Sequence, residues 1–128
     1  MPNREILFRG KRKDNGEWVE GFYFENFDKC YIMSTKYLDN PITKFIFEVL
    51  PETVGQYIGL PDKKDKKIFE GDIVRERGGE SYQGYYEIDN VLTVKIPDIL
   101  VNFEMSYDCE YKIIGNIYDN PELIEAED

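Results

Sequence analysis

Nowhere along this chain do apolar side chains recur, over a sustained stretch, at the 3.6-residue spacing of an amphipathic helix. What recurs is alternation over short runs, punctuated by Gly, Pro, Asn and Asp. The clearest case is a hairpin. Ile6-Leu7-Phe8-Arg9 leads to Asp14-Asn15-Gly16 and returns through Trp18-Val19-Glu20-Gly21-Phe22-Tyr23-Phe24. Asn-Gly supplies the positive-φ backbone that a tight reversal requires. In the returning arm Trp18, Phe22 and Phe24 share one parity, with Val19, Gly21 and Tyr23 on the other, which is a strand signal. Gly21 inside such an arm marks a bulge or a close approach of another backbone.

The same reading places strands at about 30–34, 45–49, 53–60, 73–76, 85–88, 91–96, 99–103 and 111–118. Loops are expected at 35–43 and at 77–84, the second because Gly78-Gly79 and Gly84 read as an exposed, mobile connection. Asn120-Pro121 is an acceptable helix start, with room for a turn or two. Aromatic residues at 15% lean the class further toward sheet, because rings pack well on a half-buried pleated surface. The expectation is a mainly β fold, a small barrel or strongly bent antiparallel sheets, with at most a short C-terminal helix. No linker divides the 128 residues, so residues 1–128 are read as one domain with room for two β subdomains.

Charge narrows the partners. The formal net charge is −10 and histidine is absent. An acidic surface repels the phosphate backbone, so nucleic acid is disfavoured as a partner unless the cations gather on one face. They gather in two places: Arg4, Arg9, Lys11, Arg12 and Lys13 near the start, and Lys63, Lys64, Lys66 and Lys67 in the middle. The last ten residues hold five acids and no base. No apolar run reaches the roughly 20 residues of a membrane span, and the start has no apolar leader, so no membrane association and a cytoplasmic setting in a bacterial cell are expected. There, Cys30 and Cys109, which lack CxxC spacing, are read as reduced thiols.

Without histidine there is no Ser-His or Cys-His nucleophile system and no imidazole ligand. Two separate cysteines do not make a structural zinc site, and no Walker-type phosphate loop occurs. No cofactor, metal or catalytic residue is therefore expected. Glu70 and Asp72 flank Gly71, a pair that could hold a hard cation or act as acid and base, against the simpler reading of a capped turn. Gln56-Tyr57, polar and aromatic beside Gly55 and Gly59, reads as a contact surface. Gln56, Tyr57, Glu70 and Asp72 form the candidate binding surface.

Four blocks occur in order along the chain. They are Arg4-Glu5-Ile6-Leu7-Phe8-Arg9-Gly10, Thr53-Val54-Gly55-Gln56-Tyr57-Ile58-Gly59-Leu60-Pro61-Asp62-Lys63, Ile68-Phe69-Glu70-Gly71-Asp72-Ile73-Val74, and Ile114-Gly115-Asn116-Ile117-Tyr118-Asp119-Asn120-Pro121-Glu122-Leu123. This order resembles the YopX family of phages and prophages. The resemblance implies a mainly β, self-associating protein of the bacterial cytoplasm and assigns no reaction. Three functions follow as expectations, in this order. The first is a module that binds itself and a host or phage protein. The second is an acidic decoy that mimics DNA before a host DNA-binding protein. The third is a carboxylate enzyme using a divalent cation.

Overall fold

The computed structural model describes residues 5–34, 45–81, 84–94 and 109–125. Its elements are β1 (Phe8–Lys11), β2 (Trp18–Asn26), β3 (Lys29–Ser34), β4 (Ile46–Val49), a 3-10 turn (Pro51–Thr53), β5 (Gly55–Pro61), β6 (Lys67–Phe69), β7 (Asp72–Ser81), β8 (Gly84–Thr93), β9 (Cys109–Asn116) and a one-turn helix α1 (Glu122–Glu125). They form two antiparallel sheets, one ordered β4-β3-β2-β1-β5-β6 and one ordered β8-β7-β9. The chain divides into two compact units, residues 1–59 and 60–128. Each is described by itself.

In the first unit the β1–β2 hairpin forms where the sequence places it. The Arg12 N–H donates to the Glu17 carbonyl, the Asn15 side chain accepts from the Glu17 N–H, and Gly16 takes φ +75°. The two parities read from the sequence take opposite faces, and the structure decides which is inward. Val19 and Tyr23 pack with Phe8 and Val54 against a core of Cys30, Ile32 and Val49, while Phe22 and Phe24 face out. Gly21 sits on the inward parity opposite Ser34, where a β-carbon would press onto the Met33 carbonyl group. The close backbone approach expected there is what the structure shows.

The end of β1 and the turn after it also meet β4. After β1 the segment from Lys11 to Lys13 reaches the far strand, with a bridge between Arg12 and Val49. The Lys13 N–H donates to Glu48 (2.9 Å) and the Leu50 N–H donates to Lys11 (2.9 Å). The Thr53 hydroxyl fixes the corner by accepting from the Lys11 N–H and donating to the Leu50 carbonyl. The expectation of a mainly β fold of antiparallel sheets with a short C-terminal helix therefore holds. The barrel does not: among the described residues no closed barrel forms, because a single bridge is not a ladder.

In the second unit β7 is the central strand, paired along its length with β8 and β9. Ile73 and Val74 are consecutive yet both fully buried, and the register against β9 slips between them. The loop expected at 77–84 is a correction. Arg77, Gly78, Glu80 and Ser81 belong to β7 and Gly84 opens β8, with an irregularity between Gly78 and Glu80. Pairing on both sides of β7 outweighs the weak strand preference of glycine, which marks a kink here rather than a break. Buried Ile68, Phe69, Val94 and Tyr111 complete the apolar set of this unit. The expected loop at 35–43, the end of strand 91–96 and the whole of strand 99–103 lie outside the described residues.

Candidate interaction surface

The β2–β3 hairpin closes through Phe27 and Asp28 between the paired residues Asn26 and Lys29. Both loop residues have positive φ, +50° for Phe27 and +67° for Asp28. A two-residue loop of this kind matches the right-handed twist of the strands and is normally built from Asn, Asp or Gly. Phenylalanine there is a conformational outlier, because its β-carbon crowds the backbone in the left-handed region. The ring is also 90% exposed. A strained backbone that holds a bare aromatic side chain at a loop tip points to function rather than to packing.

The outer face beside this tip is apolar as well. Phe22 is 49% exposed and Phe24 38%. In register they lie opposite Met33 and Tyr31, and the Phe24 and Tyr31 rings stack at 5.2 Å. Ile46 on β4 continues the Met33 row. Contiguous exposed apolar surface of this kind marks contact sites more often than it marks chance. Behind the face, the Tyr23 hydroxyl donates to the Glu25 carboxylate (2.7 Å) and lies 3.2 Å from the Cys30 sulfur. The Cys30 contact first, and then Glu25, push Tyr23 ionisation upward, so its hydroxyl stays a neutral donor. Cys30 itself is a buried free thiol.

At the edge of the sheet, Lys13, Asp14, Ile46, Phe47 and Glu48 line a groove of about 250 Å³. Arg12 stacks its guanidinium over Phe47 at 4.3 Å and grips Asp14 through two bonds, at 3.0 and 2.6 Å. That hydrogen bond is the main reason the Asp14 carboxyl sits below the ordinary carboxylate range. Lys13 pairs with Glu48 at 3.2 Å.

Of the candidate residues from the sequence, two belong to each unit. Gln56 and Tyr57 lie on β5 of the first unit. Gln56 sits opposite Phe8, the Tyr57 N–H donates to Leu7, and both side chains are half-buried. Glu70 and Asp72 lie in the second unit around Gly71, which takes φ +94°. Asp72 is 1% exposed and its carboxylate accepts from the Phe69 N–H at 2.8 Å. Among the described residues no cluster of three or more His, Cys, Asp or Glu could hold a metal ion. The Phe69 bond is one a capped turn would make, and among the described residues no third carboxylate joins the pair.

Two other carboxylates organise the second unit. Asp62, 6% exposed, accepts the N–H groups of Lys64 and Lys66 on one oxygen (both 2.9 Å) and that of Ile113 on the other (3.1 Å). Burial alone would raise its pKa. The three backbone donors outweigh burial and hold it below the ordinary value. Glu76 accepts from Tyr111 on β9 (2.6 Å) and from Asn90 on β8 (3.1 Å), stitching the three strands together. The block that closes the sequence is likewise structural. The Asn116 side chain accepts from Tyr118 and Asp119, and Asn120 donates its N–H to the Asn116 carbonyl. Gly115 leaves room for the Asn120 amide, which a β-carbon would approach at 2.6 Å. Sequence reading missed Phe27 and Asp62. The signal for Phe27 was available: a two-residue gap between alternating runs with Phe, rather than Asn, Asp or Gly, in its first position.

The acidity is unevenly placed. Residues 1–59 hold eight Lys and Arg against nine Asp and Glu, a net charge of −1, and residues 60–128 hold eight against seventeen, a net of −9. Among the described residues no helix is long and apolar enough to cross a membrane. Compared with known proteins, residues 7–125 match the family model described as YopX protein. No curated protein and no solved structure matches the chain.

Proposed function

The chain belongs to the YopX family, a phage-associated family of uncharacterised function, and on that premise we propose that it is a protein-interaction module of the bacterial cytoplasm. It docks through the Phe27 tip and the Phe22, Phe24 and Tyr31 face, onto another copy of itself and onto an apolar surface of a host or phage protein. Phe27 carries this reading. Nothing in the folding of the hairpin calls for a ring at that position, and its backbone would be more stable with a smaller polar residue. The near-neutral charge of the unit that bears the face supports it, because two such faces approach without the repulsion that the second unit would impose.

The test exploits opposite signs. Phe27→Asn is expected to raise the stability of the fold by about 1 kcal/mol, since Asn tolerates left-handed backbone far better. The same change is expected to lower the assembly mass in light scattering and to deplete proteins captured from lysogenic cells. If Phe27→Asn leaves both the mass and the captured set as in the native chain, the reading fails.

The charge imbalance supports a second reading, a decoy for a basic DNA-binding protein through the −9 unit. That reading is weakened by its own acids, because Asp62, Asp72 and Glu76 are engaged inside the fold. Competition between the chain and duplex DNA for a purified host nucleoid protein would decide it, and failure to displace any DNA would remove it.

A further inference from the structure

The geometry points to the Ile46 end of the outer edge of β4, which no described strand pairs, as a docking site for an extended peptide segment of a partner protein, which would lie in the groove as an added strand. The inference rests on the interaction reading and specifies the chemistry of one contact. β4 ends the six-stranded order, with β3 along one side and, among the described residues, only the bridge from Arg12 to Val49 on the other. Bonding direction alternates along an antiparallel strand. The Ser34 N–H donates to the Phe45 carbonyl on the β3 side, whereas the Glu48 carbonyl accepts from Lys13 on the other. Ile46 and Glu48 therefore turn their backbone groups away from β3.

The Lys11–Lys13 segment covers only the end of that edge. It bonds at Glu48 and Leu50, then leaves as the 13–15 turn. In the wedge between the departing turn and β4 lies the groove lined by Lys13, Asp14, Ile46, Phe47 and Glu48. Among the described residues, no backbone partner on that side meets the Ile46 N–H, the Ile46 carbonyl or the Glu48 N–H. These groups carry alternating partial charges at strand spacing, and the complement to such a row is another extended backbone. The flanking charges are already matched, Lys13 with Glu48 and Arg12 with Asp14. The groove therefore favours a segment with uncharged side chains against Ile46 and Phe47. The Ile46 row continues through Met33 to Phe22. An added strand would extend the aromatic face rather than compete with it.

The probe is an acetylated, amidated heptapeptide of alternating valine and threonine, titrated into the isotope-labelled full chain to millimolar concentration. Saturable shifts of the Ile46 and Glu48 amides are expected, with their hydrogen exchange slowed by about ten-fold or more. Ile46→Pro removes an outward donor without touching the β3 ladder, a substitution edge strands tolerate, and is expected to abolish the effect. Should that variant misfold, the same peptide with every amide N-methylated is expected to bind no longer. No protection at Ile46 and Glu48, or equal binding of the methylated peptide, overturns the inference. The Phe27→Asn chain separates the two claims. Protection of the β4 edge that persists in it supports the edge site independently of the aromatic tip. Loss of assembly in Phe27→Asn, with no edge protection in the native chain, would defeat the edge alone.

Discussion

The Gly21→Ala variant will fail to assemble the first sheet. A β-carbon at position 21 falls onto the Met33 carbonyl oxygen, with the Met33 carbonyl carbon at 2.7 Å and the Ser34 α-carbon at 2.9 Å. All three are backbone atoms of the adjacent strand, so no rotamer change relieves the contact. Relief requires β2 and β3 to part, and with them six registered pairs from Gly21–Ser34 to Asn26–Lys29. The loss should reach about 4 kcal/mol, in the range reserved for changes that disrupt a packed backbone. Urea unfolding followed by circular dichroism measures it, with Gly16→Ala as the control. Gly16 has open space around it but φ of +75°, so alanine there costs only backbone strain, about 1 kcal/mol. Equal and small losses in the two variants would refute the contact argument.

Asp62→Ala should be the most damaging single change in the second unit. It leaves the N–H groups of Lys64, Lys66 and Ile113 without their acceptor beneath a side chain that is 6% exposed. Hydrogen bonds to a charged acceptor are worth about 1.5–3 kcal/mol each but share costs within one network, so about 3 kcal/mol is expected. Asp62→Asn should lose less, because its amide oxygen can still serve Lys64 and Lys66 while its NH2 faces the Ile113 donor. The pH dependence has a definite sign. The Asp62 pKa is lowered in the folded chain, so its stabilisation is complete above the unfolded value near 3.9 and is lost as pH falls through the folded value. The stability gap between the native chain and Asp62→Asn should therefore be widest near neutrality and shrink in acid. A gap that stays constant with pH would remove the charge from the explanation.

Much of the fold could be read from the sequence because local signals and tertiary demands agreed. Gly16 is at the turn, Gly21 is at the close approach, and Val19 and Tyr23 share one face as their common parity implies. Reading failed where pairing partners decide. Gly78 lies in a central strand held from both sides, which no local preference reports. Asp62 was legible only as a turn residue, since the Ile113 N–H that makes it structural comes from 51 positions away. Asp72 was open to two readings, and the Phe69 amide on its carboxylate is what a capped turn would give, whereas the left-handed backbone of Phe27 shows only in the structure.

The division of charge between the units has a consequence for the solution environment. A body of net −9 is held together against its own repulsion, and dissolved ions relieve that repulsion over distances of about 10 Å at 0.1 M. The first unit, at −1, has almost nothing to relieve. Net repulsion therefore falls with added salt in one half of this chain, while in the other salt acts chiefly on paired charges such as Arg12–Asp14 and Lys13–Glu48. Dilute buffer is expected to cost the β7-centred half more stability than the half that carries Phe27.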